Sequence, residues 1–179
     1  DQEQGFFNVP VDHLYASTVM LPYIQSLNLP NLCIATPDVG GSKRAASYAK
    51  YLGCPMVLCN KSRKKANEVD SMQIIGEVEG MDVILVDDIV DTAGTITKAA
   101  DLIMAGGANS VRAIASHCIM SGPADQRVDD SALVEMVFTD SIPYHGNSKK
   151  VKQISVSGML AETIRRVMDN ESISSQYLI

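Results

Sequence analysis

Residues 82–86, Asp-Val-Ile-Leu-Val, place four apolar residues in a row with no polar alternation. A strand with one wet face alternates apolar and polar side chains. An unbroken run therefore fits a strand buried on both faces, as in a parallel sheet covered by helices on either side. The rest of the chain repeats the theme. Short apolar runs at Leu32–Thr36, 55–59, 111–115 and 133–138 alternate with segments of helical period. Between Ser42 and Gly53, residues Ala45, Ala46, Ala49 and Leu52 keep helical spacing, and 96–105 reads as a helix closed by Gly106-Gly107. A helix led by Gly122-Pro123, a short strand at 154–156 and a helix at 159–168 complete the pattern. The expected fold class is α/β, a mostly parallel sheet flanked by helices.

A chain of 179 residues buries about 70% of the surface its unfolded form exposes, enough for one core. With no repeat or long linker to divide it, a single domain over 1–179 is expected. The formal charge, 15 basic against 21 acidic residues or −6, argues against nucleic acid and anionic membrane surfaces as partners, because both select a basic face. No apolar run reaches the roughly 18 residues that span a bilayer, and DQEQGFF lacks the regions of a signal peptide, so a cytoplasmic protein is expected. Cys33, Cys54, Cys59 and Cys118 form no CxxC pair, and His13, His117 and His145 are scattered. Free, buried thiols and no protein-only zinc site follow. The chain starts at Asp1 without Met, as a piece of something longer would.

The chemistry concentrates in VILVDDIVDTAGT, residues 83–95. A loop between the C-terminal end of a parallel strand and the start of a helix offers unpaired backbone N–H groups and the positive end of the helix dipole to a phosphate. Gly94 would let the backbone approach closely, and the hydroxyls of Thr92 and Thr95 add donors. Asp87 and Asp88, adjacent at the strand end, can accept hydrogen bonds from vicinal sugar hydroxyls or hold a hydrated magnesium ion. Taken singly, the two carboxylates could also be turn or capping residues. The whole string describes a ribose beside a phosphate.

This string resembles the phosphoribosyl pyrophosphate-binding signature shared by type I phosphoribosyltransferases and ribose-phosphate pyrophosphokinases. QEQGFFNVPVDHLYA at 2–16, TPDVGGSKRA at 36–45, NKSRKK at 60–65, SGPA at 121–124 and the ending ESISSQYLI are similar to the pyrophosphokinases, in order and at matching spacing. The resemblance covers nearly the whole chain and matches the C-terminal part of that family's subunit, with residues 1–16 as the joint between its two halves. It implies transfer of the pyrophosphoryl group of ATP to the anomeric hydroxyl of ribose 5-phosphate, giving phosphoribosyl pyrophosphate and AMP, with Mg2+ required. It also implies a homo-oligomer, a hexamer for the complete protein.

On the same resemblance Asp87 and Asp88 hold the ribose hydroxyls, while Asp91, Thr92, Ala93, Gly94 and Thr95 cradle the 5-phosphate. Asp38 matches a carboxylate that binds a metal ion beside the nucleotide; its companion histidine precedes QxQGFF in the family and lies outside this chain. Lys61 and Arg63 match a flexible catalytic loop that closes over the transferring phosphates, although NKSR stands where the family usually has DKRR. Gln4, Asp12 and His13 fall where the family builds a regulatory site for phosphate or ADP, with His13 replacing the more common asparagine. Two other readings compete. One is a non-catalytic regulatory paralogue, favoured by the NKSR departure and the missing half. The other is a phosphoribosyltransferase, for which no segment is left over to form a base-binding hood.

Overall fold

The computed structural model describes residues 3–62 and 71–179. Its centre is a seven-stranded sheet built from β1 (Leu32–Thr36), β2 (Met56–Ser62), β3 (Ser71–Ile75), β4 (Asp82–Val90), β5 (Ser110–Cys118), β6 (Leu133–Thr139) and β7 (Val151–Ile154). In space the strands run β3-β2-β1-β4-β5-β6-β7. Neighbours are parallel except for the antiparallel pair β2–β3.

The unbroken apolar runs are buried on both faces, as their lack of alternation requires. Ile34, Ile84, Val86, Ile114 and Val137 point to one side, where α1 (Ser17–Ser26) packs through Met20, Leu21 and Ile24, and α2 (Ser42–Leu52) through Ala45, Tyr48 and Ala49. Their chain neighbours Cys33, Ala35, Val83, Leu85 and Phe138 point to the other. There α3 (Gly94–Ala105) supplies Ile96, Ala99, Ala100 and Ile103, and α4 (Ala124–Asp130) supplies Ala124 and Val128. Period-two side chains between two helix layers thus make two cores from one sheet. The last helix, α5 (Ser157–Met168), buries only Thr163 and leaves Leu160, Ile164, Val167 and Met168 exposed.

Several boundaries differ from the expected ones. Helix α1 has no counterpart in the periodicity: Pro22 interrupts it and Ala16 gives it no side-chain cap, so it forms because Met20, Leu21 and Ile24 dock on the sheet. Asn60–Ser62 in the basic stretch continue β2, with Lys61 opposite Met72. Strand β4 runs on to Val90 instead of stopping at Val86, and β7 begins at Val151. Three of the cysteines are buried and free, whereas Cys54 is half-buried. Burial pushes the thiols of Cys33, Cys59 and Cys118 up to about 11, which leaves them unreactive at neutral pH. Among the described residues no helix is long and apolar enough to cross a membrane.

Strand order reverses around β1, whose two neighbours β2 and β4 lead the chain in opposite directions. In doubly wound sheets ligands bind at such a switch point, beyond the carboxyl ends of the strands. The register makes room for one. Pairing of β1 with β4 ends at Ala35 and Leu85, while β4 continues against β5 as far as Val90 and Cys118. Residues Asp87–Val90 therefore border an opening above the end of β1.

Candidate functional site

A cleft of about 280 Å3 occupies this opening, lined by Asp38 from the turn after β1 and by the stretch from Asp87 to Ile96. The 36–41 turn is tightly made. The Thr36 hydroxyl donates to the Asp38 carbonyl at 2.8 Å, and the Gly41 N–H donates to Asp38 Oδ1 at 3.0 Å. A side chain at Gly41 would collide with Thr36 Oγ1, so the backbone must be bare there.

Asp87 and Asp88 stand next to each other on β4 and are joined by one cation. Arg44, in the first turn of α2, donates from Nη2 to Asp88 Oδ2 at 2.6 Å and from Nη1 to Asp87 Oδ1 at 3.3 Å. The Asp88 N–H also donates to Asp87 Oδ1 at 2.9 Å. The two carboxyls respond differently. Burial, with the neighbouring Asp88 carboxyl adding to it, pushes Asp87 up to about 6. Asp88 is also partly buried, but the Arg44 guanidinium and its hydrogen bonds outweigh that and hold it below the ordinary carboxylate range. Nothing in the sequence singles out Arg44, although it lies inside the TPDVGGSKRA stretch. Spacing alone gives no sign that an arginine near a helix start will reach a carboxylate pair on another strand.

The loop into α3 departs from expectation in one respect. Gly94 is the first helical residue, and the strained backbone belongs to Ala93, which is in the left-handed region at φ 58 and 4% exposed. A Cβ at Gly94 would come within 3.2 Å of Arg127 Nη1, so glycine here makes room for a guanidinium. Ala93 gives α3 no side-chain cap, which leaves the first-turn N–H groups for another acceptor. Ala93→Gly should keep stability within about 1 kcal/mol of the parent, since relief of strain offsets the entropy of glycine. Ala93→Val should lose about 1–3 kcal/mol, because a buried β-branched residue must hold the same φ. Urea unfolding of the two variants tests this, and equal tolerance of valine and glycine would refute it.

The structure brings Asp38, Asp87, Asp88, Asp91, Thr92, Ala93, Gly94 and Thr95 to one cleft. Lys61 lies on β2, and Arg63 lies outside the described residues. Asp12 and His13 line a separate cavity of about 420 Å3 with His117, Ser141 and Leu160. Gln4 does not line it; its side-chain amide donates to the Val11 carbonyl at 3.1 Å. His117 Nδ1 is 2.9 Å from Ser141 Oγ. Among the described residues no group of three or more His, Cys, Asp or Glu side chains could hold a metal ion.

The sheet and its flanking helices have the fold of a phosphoribosyltransferase. Orotate phosphoribosyltransferase from Aeropyrum pernix has the same fold, with a TM-score of 0.54 at 17% identity over 83% of this chain and 74% of that one. The model of the phosphoribosyl synthetase-associated domain matches residues 59–178, and the chain belongs to that phosphoribosyl synthetase family. A ribose-phosphate pyrophosphokinase from Porphyromonas gingivalis is 64% identical over 99% of this chain and 57% of its own length. The crystal structure of phosphoribosylpyrophosphate synthetase from Mycobacterium smegmatis has a TM-score of 0.83 at 34% identity, covering 95% of this chain and 56% of that one. The chain thus spans just over half the length of the curated relative and of the synthetase structure it matches.

Proposed function

We propose that this chain carries the ribose 5-phosphate site of a ribose-phosphate diphosphokinase. Such an enzyme transfers the pyrophosphoryl group of ATP to the anomeric hydroxyl of ribose 5-phosphate and yields phosphoribosyl pyrophosphate and AMP. The observation that carries the reading is a single cleft in which the Arg44-bridged carboxylates and the uncapped start of α3 face one ligand-sized space. Carboxylate oxygens at Asp87 and Asp88 accept two vicinal hydroxyls, and the backbone of 92–95 with the Thr92 and Thr95 hydroxyls receives the phosphate. Held at both ends, the sugar keeps its anomeric hydroxyl in one orientation. Most of the catalysis of phosphoryl-type transfer lies in such positioning and in cations placed where charge accumulates. Lys61 and Arg63 are the proposed cations.

The donor set suits magnesium in a particular way. One carboxylate, Asp38, beside an acidic cleft, matches an ion that keeps most of its waters and binds through one or two carboxylates plus substrate phosphates. Asp38 would hold such an ion, which would neutralise phosphate charge. The remaining length of the relatives suggests that ATP binding is completed elsewhere in a longer subunit. Phe6, Phe7 and Val9 are largely exposed here, which supports assembly into a homo-oligomer, with a cytoplasmic enzyme as the whole.

Calorimetric titration of the chain with ribose 5-phosphate in the presence of magnesium tests the reading. Ribose 5-phosphate should bind about 100-fold more tightly than ribose, since the phosphate adds charge-assisted hydrogen bonds. Equal affinity for the two would overturn the assignment of the loop.

A further inference from the structure

The loop between β4 and α3 is gripped by the segment that follows β5, whose Arg127 lines a neighbouring cavity of about 380 Å3 with Thr92, Gly94 and Thr95. The Ser121 N–H donates to the Asp91 carbonyl at 3.0 Å, and the Ser121 hydroxyl donates to Asp91 Oδ1. Further along the same segment, Arg127 of α4 donates from Nη1 to the Thr92 carbonyl at 2.8 Å. Two successive peptide groups of the loop thus have their carbonyls held by one neighbouring element.

In a trans peptide the C=O and the N–H lie in one plane and point in opposite directions within it. Holding the Asp91 carbonyl therefore fixes the direction of the Thr92 N–H, and holding the Thr92 carbonyl fixes that of the Ala93 N–H. Both donors face away from Ser121 and Arg127. Ala93 would not adopt φ 58 unaided, because the left-handed region costs an alanine about 1–2 kcal/mol. The Arg127 hydrogen bond closes on the peptide immediately before it. The absence of a side chain at Gly94 keeps the guanidinium in place.

We infer that Ser121 and Arg127 form a clamp that presets the phosphate-binding backbone of the loop, with Arg127 acting as a positioning residue that need not touch the ligand. The inference deepens the sugar-phosphate reading above and rests on it for its ligand. The SGPA stretch thereby starts the segment that carries both ends of the clamp.

The test uses the 179-residue chain and the variants Arg127→Ala, Arg127→Lys and Ser121→Ala. Arg127 is exposed, so its truncation should leave the fold intact. In the absence of ligand, Arg127→Ala should shift the amide resonances of Thr92, Ala93 and Gly94 and leave those of the sheet in place. It should weaken both inorganic phosphate and ribose 5-phosphate by about tenfold, the equivalent of one hydrogen bond. The loss should persist at high salt, where the contribution of the missing positive charge is screened and that of the fixed hydrogen bond is not. Arg127→Lys should recover most of the loss, and Ser121→Ala should move the Thr92 resonance. Unmoved amide resonances in Arg127→Ala would overturn the clamp whether or not ligand binds. So would a loss of affinity that disappears at high salt. If the parent chain bound neither phosphate nor ribose 5-phosphate while the amide shifts appeared, the clamp would stand and the sugar-phosphate reading would fall.

Discussion

Asp87→Asn is expected to raise the melting temperature at pH 8 while weakening ribose 5-phosphate binding by about 100-fold. The two effects have one origin. In the unfolded chain this carboxyl ionises near the ordinary aspartate value, whereas in the folded protein burial pushes it up to about 6. The unfolded state therefore releases the proton first. As pH rises from about 4 to 6 the folded state loses stability on account of Asp87, and above that the loss is constant. An amide escapes this cost, and its oxygen can still accept the Asp88 N–H that Asp87 Oδ1 accepts at 2.9 Å. What it forfeits is the 3.3 Å bridge to Arg44, which is long and partly solvated. The net gain should be on the order of 1–2 kcal/mol, or about 2–4 °C per kcal/mol for a chain of this size. Binding moves the other way because a sugar hydroxyl donates more strongly to a carboxylate than to an amide. Both proteins share the titration of the ligand's own phosphate at about pH 6, so affinity should fall more steeply in the parent than in the variant as pH drops below about 6, and the ratio of the two affinities should shrink. Thermal melts and titrations between pH 5 and 8 decide the matter; a variant less stable than the parent at pH 8 would show that Arg44 outweighs burial.

Such an opposition between stability and binding is common where a fold keeps charged groups together for a ligand. It also marks what could be read from residues alone. The strand 82–86, buried on both faces, and the helices at 42–52 and 96–105 were legible because their apolar spacing is dictated by their neighbours in the sheet. The acid pair and the Thr-Ala-Gly-Thr loop were legible because a whole string carried them. Arg44 and Arg127 were not, since their roles depend on which loops the topology sets side by side, and neither sits in a periodic pattern. Ala93 stands in the expected cradle, but its left-handed backbone was missed for a different reason. A glycine at position 94 attracts any argument about backbone freedom, yet the unusual φ falls one residue earlier, where outside hydrogen bonds can enforce it on an alanine.

Helix α1 was illegible because its stability is tertiary, and this leads to the second large effect. Glu135→Ala should destabilise the chain toward the lower end of the about 3–5 kcal/mol typical of breaking a buried ion pair. Glu135 lies on β6 with its side chain 7% exposed, and groups from three other elements converge on it. Tyr23 of α1 donates its hydroxyl to Oε1 at 2.6 Å, Lys152 of β7 donates to Oε2 at 2.7 Å, and Arg112 of β5 pairs with Oε1 at 3.3 Å. One carboxylate thus ties the helix to three adjacent strands. Burial pushes Glu135 up, but the hydrogen bonds from Lys152 and Tyr23, with the charges of Lys152 and Arg112, hold it below the ordinary glutamate range. Its contribution is therefore complete above about pH 4.5 and is lost as pH falls through the depressed value. The lower end of the range follows because Lys152 is 59% exposed and water can take over its solvation, whereas Arg112 and the Tyr23 hydroxyl lose a partner in partial burial. Urea unfolding should show a constant gap between parent and variant from pH 6 to 8 and a shrinking one in acid. Tyr23→Phe, costly in the parent, should cost little in the Glu135→Ala background, because the partner of its hydroxyl is already gone. A gap below about 1 kcal/mol at pH 7 would mean that α1 is held by its apolar face and by the Thr18 hydroxyl donating to the Gln176 carbonyl, and a gap undiminished in acid would mean that the charge of Glu135 does not hold it.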